Sequence, residues 1–122
     1  MGTEKTILLV DDDDFVRQNL KDALCEDGFV FLEAGDGATA LDLIRTRQPD
    51  LVLLDLLMPT MSGLEVLEGL KRSASAVKVV VVSSLDSKGL VDQALECGAA
   101  GFIVKPFHPL EVHDEVARVL GP

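Results

Sequence analysis

The chain has 122 residues, 48% of them hydrophobic, and carries 21 acidic against 11 basic side chains for a net charge of −10. That is one domain's length, with apolar content enough to pack a core without a disulfide or structural metal. The acidity argues against direct nucleic-acid binding, which needs a basic face; no apolar run approaches the roughly 18 residues of a membrane span, and no secretory leader is legible.

Lys5–Val10 holds four consecutive apolar residues, Ile7 to Val10, and reads as a first buried strand. It runs into Asp11, Asp12, Asp13 and Asp14, of which Asp13 or Asp14 can cap the helix that follows. Val16, Leu20, Ala23 and Leu24 recur at helical spacing, and Gly28 is a C-terminal stop. Phe29–Leu32 reads as a short second strand, Gly35-Asp36-Gly37 as a break, and Ala38 to about Arg47 as a second helix ended before Pro49. Leu51–Leu54 is unbroken and apolar, which suits a parallel strand buried on both faces. It ends at Asp55, and Pro59 cannot continue a ladder. Ser62 with Glu65 reads as a capping box opening a third helix, whose end at Lys71-Arg72 suits its dipole.

Val77–Val82 contains five valines broken only by Lys78, a fourth buried strand ended by Ser83 and Ser84. Asp86 is the expected cap of a helix reaching Cys97 and stopped by Gly98. Ala100–Val104 is a fifth strand ending at Lys105-Pro106, and Leu110 to Leu120 is a last amphipathic helix. Strands alternating with helices mean an α/β fold, a parallel sheet covered on both faces. Cys25 and Cys97 are isolated and read as small buried hydrophobes in a reducing, cytoplasmic setting. His108 and His113 read as surface residues, and with neither Trp nor Tyr there is no platform for stacking bases.

In such a sheet all strand ends lie along one edge, where ligands bind. That edge would gather Asp11, Asp12, Asp55, Ser83 and Lys105. Singly, each has a bland reading: a helix cap, a turn hydroxyl, a solvated lysine. Jointly, three crowded carboxylates disfavour their own ionisation unless a cation intervenes. Oxygen ligands of this kind suit Mg²⁺, typically together with a phosphate.

The chain at this point resembles the receiver domain of two-component response regulators. The resemblance lies in Ile7–Asp12, in Asp55–Gly63 (DLLMPTMSG), in Val79–Ser84 (VVVVSS) and in Gly101–Phe107 (GFIVKPF), and it covers nearly the whole chain. It implies a flavodoxin-like, doubly wound sheet of five parallel strands in the order 2-1-3-4-5 with five helices. Residues 1–122 would form one receiver domain, standing alone or cut from a larger protein, with residues 1–4 a loose N-terminus. It further implies that Asp55 accepts a phosphoryl group from a histidine kinase or a histidine phosphotransfer protein, a carboxylate acting as nucleophile. Mg²⁺ would be held by Asp12, Asp55 and the Leu57 carbonyl, with Asp11 acting through a water. Lys105 would neutralise phosphoryl charge, Ser83 would hydrogen-bond a phosphoryl oxygen, and Phe102 would be the aromatic switch that turns inward with Ser83. Gly63 would be the loop glycine. The output partner would meet the face of the fourth helix, fifth strand and fifth helix.

The Lys105–Pro106 peptide is expected to be cis, in a turn that aims Lys105 back over the strand ends. The side chains two positions after Asp55 and Ser83 are Leu57 and Leu85, which by the resemblance flank the phosphoryl group. Two details depart from the usual pattern: Ser83 where Thr is commoner, and Ser84 where Ala is usual. A haloacid-dehalogenase-like phosphatase is one alternative, since Asp11-x-Asp13 imitates its nucleophile motif. A degenerate receiver, a binding module without chemistry, is another.

Overall fold

The computed structural model describes residues 4–85 and 87–121. Five strands, β1 (Thr6–Val10), β2 (Val30–Ala34), β3 (Leu51–Leu54), β4 (Lys78–Ser83) and β5 (Gly101–Val104), alternate with helices α1 (Asp14–Ala23), α2 (Gly37–Arg47), α3 (Gly63–Arg72), α4 (Lys88–Glu96) and α5 (Pro109–Leu120). All neighbouring strands pair in parallel, in the expected order β2-β1-β3-β4-β5. β3 is the centre, with Val10 opposite Leu54 on one side and Leu54 opposite Val81 on the other.

The period of a strand explains why these runs are apolar throughout. Leu8, Val10, Val52, Leu54, Val79 and Val81 face a layer built from Ala40 and Ile44 of α2, Val66, Leu67 and Leu70 of α3, and Ala94 of α4. Their alternates, Ile7, Leu9, Leu51, Leu53, Val80 and Val82, face Leu20 and Leu24 from the α1 side and Val112, Val116 and Val119 of α5. One sheet thus serves two cores, and β1 from Ile7 to Val10 and all of β3 are closed to water on both faces.

Local chemistry starts each helix at the strand-end side. The carboxylates of Asp13 and Asp36 accept the N–H groups of Phe15 (2.9 Å) and Thr39 (2.8 Å). The Ser62 hydroxyl accepts the Glu65 N–H at 3.3 Å, the Ser half of the expected box. The cap expected at Asp86 falls outside the described residues; Ser87 is the N-cap of α4, accepting the Leu90 N–H at 3.3 Å. His108 is exposed as expected but also caps α5: its Nδ1 accepts the Leu110 N–H at 3.1 Å, while Glu111 accepts the His108 N–H at 3.0 Å.

Several boundaries differ from expectation. β2 runs through Glu33 to Ala34, paired with Leu9 and Val10 of β1, and the Glu33 carboxylate meets Arg17 and Lys21 of α1. β4 starts at Lys78, whose ammonium donates to the Val119 carbonyl at 3.0 Å, and it extends through Ser83. Cys25 is exposed rather than buried, because Leu24 takes the core position and Cys25 opens the 3-10 turn Cys25–Asp27. Cys97 is half-buried, packed on the α2–α3–α4 core from the end of α4. Of the expected loose N-terminus, residues 1–3 lie outside the described residues. No described helix is long and apolar enough to cross a membrane.

Candidate functional site

The β1–α1 loop, the end of β3 and the β5–α5 turn meet at one edge of the sheet. Asp55 follows β3 directly, and its N–H extends the ladder to the Val10 carbonyl at 2.9 Å. That bond holds the carboxylate in a buried place, 6% exposed. Its Oδ1 accepts the Leu57 N–H at 3.3 Å and its Oδ2 lies 3.6 Å from the Lys105 ammonium. Asp11 is still more enclosed, at 2% exposure. Its N–H donates to the Ala34 carbonyl at 3.1 Å; its Oδ1 accepts the Asp13 N–H at 2.9 Å and its Oδ2 the Lys105 ammonium at 2.8 Å. Asp12 is exposed. One oxygen from each of Asp11, Asp12 and Asp55 falls within a 4.8 Å set.

Lys105 reaches this cluster because its N–H continues the β4–β5 ladder to the Ser83 carbonyl at 2.9 Å. The Lys105–Pro106 peptide is cis, as expected. The ammonium thus meets two of the three carboxylates, Asp11 and Asp55. Burial pushes the Asp55 carboxyl above the ordinary aspartate range; Lys105 pulls it back down, the negative charge of Asp11 pushes it up again, and the Leu57 and Leu56 N–H groups lower it. The net direction is upward, with burial the main cause; by count, three carboxylates share the site with the one Lys105 ammonium, a deficit of positive charge. An all-oxygen donor set with that deficit fits a divalent cation such as Mg²⁺.

Ser83 is fully buried at the end of β4, where its Oγ accepts the Leu85 N–H at 3.2 Å and keeps its own proton to donate. Phe102 sits opposite Val81 in β5, half-buried against the α2–α3–α4 core. Leu57 is 53% exposed and Leu85 38% exposed, so neither covers core. The β3–α3 loop that carries Leu57 turns back at Gly63, whose N–H donates to the Leu56 carbonyl at 3.0 Å. A β-carbon on Gly63 would lie 2.7 Å from the Leu56 α-carbon, a backbone atom that cannot rotate away. The expected set is therefore gathered at one edge, with Phe102 in the adjoining strand.

Two side chains that the sequence did not single out complete the surroundings. Arg17 of α1 donates from Nη1 to the Asp11 carbonyl and from Nε to Glu33. Neither bond has a sequence signature: a backbone carbonyl has no side-chain code, and Glu33 lies in another element, 16 residues from Arg17. The Asp13 carboxylate is occupied as the α1 cap, so the Asp-x-Asp pair of a dehalogenase-like nucleophile does not assemble.

Comparison with known proteins is consistent along the chain. The family described as "Response regulator receiver domain" matches residues 7–117. The chain is 36% identical over 116 residues to "Chemotaxis protein CheY" of Bacillus subtilis, covering 94% of this chain and 97% of that one. It is 33% identical over 120 residues to "Sporulation initiation phosphotransferase F" of the same organism, covering 98% and 96%. Among solved structures, a chain of the "CheX-CheY-BeF3-Mg+2 complex from Borrelia burgdorferi" superposes with a TM-score of 0.91 at 30% identity, covering 97% of this chain and 90% of that one.

Proposed function

The chain belongs to the response regulator receiver domain family of two-component systems, and from that premise we propose that Asp55 is the residue on which it accepts the phosphoryl group. The observation that carries this assignment is the place of Asp55: buried at the end of the central strand, 3.6 Å from Lys105, and sharing the 4.8 Å oxygen set with Asp11 and Asp12. In the transfer a carboxylate oxygen of Asp55 bonds to phosphorus as the bond from phosphorus to the donor's imidazole nitrogen breaks. The imidazole leaves with that electron pair and takes up a proton from water.

Mg²⁺, when bound, neutralises charge on the phosphoryl oxygens. Asp12, Asp55 and the Leu57 carbonyl would hold it. The two oxygens of Asp11 are already engaged, one by Asp13 and one by Lys105, which supports a role for Asp11 through a water. Lys105 places its ammonium beside the acceptor and offsets part of the incoming negative charge. Ser83 donates its hydroxyl proton to a phosphoryl oxygen and in doing so draws on the Leu85 backbone that it now holds. Phe102, one strand away, follows that movement.

The donor is a histidine kinase or a histidine phosphotransfer protein. Output runs through α4, β5 and α5, where Leu95, Val104 and Leu110 are exposed. The chain works in the cytoplasm, without direct contact to nucleic acid, and its chemistry is confined to its own aspartyl phosphate. Incubation with a small acyl phosphate and Mg²⁺, followed by intact-mass measurement, tests the reading. A gain of one phosphoryl group, lost in excess chelator, is expected. Steady phosphate release with turnover and no mass gain would favour the phosphatase, and neither product would favour the degenerate module.

A further inference from the structure

The three carboxylates of the site are not equally secured. Asp11 is tied through both oxygens, and Asp55 through Leu57 and Lys105. The exposed Asp12 side chain makes no hydrogen bond among the described residues, so the region its carboxylate can reach is set by the peptide that carries it. On the other side of Asp11 the chain is anchored to β2 through the Ala34 carbonyl. The carbonyl of the Asp11–Asp12 peptide itself accepts Arg17 Nη1 at 2.5 Å.

Arg17 is well placed to hold that peptide still. Its side chain is only 13% exposed. Nε donates to Glu33 Oε1 at 2.9 Å and Nη2 pairs with Asp14. Glu33 is braced in turn by the Lys21 ammonium at 2.6 Å from its other oxygen. The guanidinium is planar and rigid, so three partners in fixed directions leave it little freedom, which an ammonium could not reproduce. We propose that Arg17 is a positioning residue for Mg²⁺: its grip on the Asp11 carbonyl fixes the Asp11–Asp12 peptide and aims the Asp12 carboxylate into the oxygen set shared with Asp11 and Asp55. The proposal rests on the magnesium reading of that set.

The sign of the effect separates positioning from simple electrostatics. Arg17 is a cation near a site for a dication. Through-space repulsion alone makes removal of Arg17 tighten Mg²⁺ binding. Positioning makes removal weaken it, because Asp12 then spends its time in orientations that do not bind. Groups that orient metal ligands typically contribute about 10- to 100-fold in affinity.

Mg²⁺ titrations of the parent chain and variants, followed by backbone amide shifts and by calorimetry well below the unfolding temperature, decide the matter without any phosphoryl donor. Arg17→Gln is expected to bind Mg²⁺ about tenfold more weakly than the parent. Arg17→Lys, which keeps the charge but not the fork, is expected to weaken binding as well. Glu33→Asp, which keeps the charge but shortens the reach to the guanidinium, should give a smaller loss in the same direction and carries the test if the Arg17 variants fail to fold. Unchanged or tighter binding in the folded variants overturns the proposal. A parent chain that does not bind Mg²⁺, or an Asp12→Ala variant that binds it as well as the parent, contradicts the magnesium site itself and not Arg17 alone.

Discussion

Gly63 and Gly69 lie on the same helix and should respond to alanine in opposite directions. At Gly63 the new β-carbon would sit 2.7 Å from the Leu56 α-carbon and against the Asp55 carbonyl. Carbon atoms in contact prefer roughly 3.5–4.0 Å, so the loop must open by about 1 Å. The Gly63 N–H donates to the Leu56 carbonyl at 3.0 Å, and an opening of that size takes the bond beyond reach. Overpacking against backbone costs about 1–3 kcal/mol, and a stranded polar group about 1–3 kcal/mol more. The helical gain of Ala over Gly returns about 0.5–1 kcal/mol. Gly63→Ala is thus expected to lose about 1–5 kcal/mol, centred near 3, a large part of the roughly 5–15 kcal/mol that a domain holds. At Gly69 the β-carbon would meet only the Leu41 methyls at 3.8 Å, an ordinary contact. Gly69→Ala should therefore be neutral or stabilising by up to about 1 kcal/mol. Urea unfolding reads both. With a slope of about 1–3 kcal/mol per molar, the Gly63→Ala midpoint should fall by about 1–2 M. A Gly63→Ala midpoint equal to the parent's, or a fall as large in Gly69→Ala, would refute the close approach of the β3–α3 loop to α3.

The raised Asp55 carboxyl fixes a pH dependence. A carboxyl raised in the fold contributes stability that is fully present below its unfolded value, about 4, and is lost as pH rises through the folded value. At neutral pH and without Mg²⁺ the ionised Asp55 therefore costs stability, and Asp55→Asn should melt a few degrees higher than the parent. The gain should shrink on acidification towards pH 4, and thermal melts showing a constant gain, or none, contradict it. Leu57 and Leu85 cannot orient an attacking water as an amide or carboxylate could. The phosphorylated chain is therefore expected to be comparatively long-lived, and Leu57→Asn and Leu85→Glu to hydrolyse several-fold faster with Mg²⁺ and no kinase; equal rates would remove these leucines from the explanation. Amide shifts on adding a phosphoryl mimic should spread from Ser83 through β5 to α4 and α5, and shifts confined to the β1–α1 loop and α1 would contradict that route.

Much of this architecture was legible because a parallel sheet buried on both faces leaves a simple trace. Leu51–Leu54 and the valines from Val79 to Val82 have no polar alternate, and no amphipathic helix or half-exposed strand reads that way. The strand-end polar groups were legible for the same reason, since an uninterrupted apolar run marks where it stops. What escaped was set by contacts rather than by pattern. Glu33 looked to lie past the end of β2 at Leu32, yet it is an edge-strand residue paired with Arg17 and Lys21. His108 is not an ordinary capping residue, and only the turn before α5 brings its Nδ1 to the Leu110 N–H. Cys25 looked like core, but the helix register gives that place to Leu24. The hold of Arg17 on the site had no signal at all, because there its partner is the backbone carbonyl of Asp11, six residues earlier.

The central claim is that Asp55, and neither of its acidic neighbours, carries the phosphoryl group. Reductive trapping of the aspartyl phosphate after reaction with an acyl phosphate and Mg²⁺, followed by peptide mass mapping, tests it residue by residue. The label is expected on Asp55 alone and should be absent from Asp55→Asn. Label on Asp11 or Asp12 in the parent chain, or full labelling of Asp55→Asn, would contradict the account.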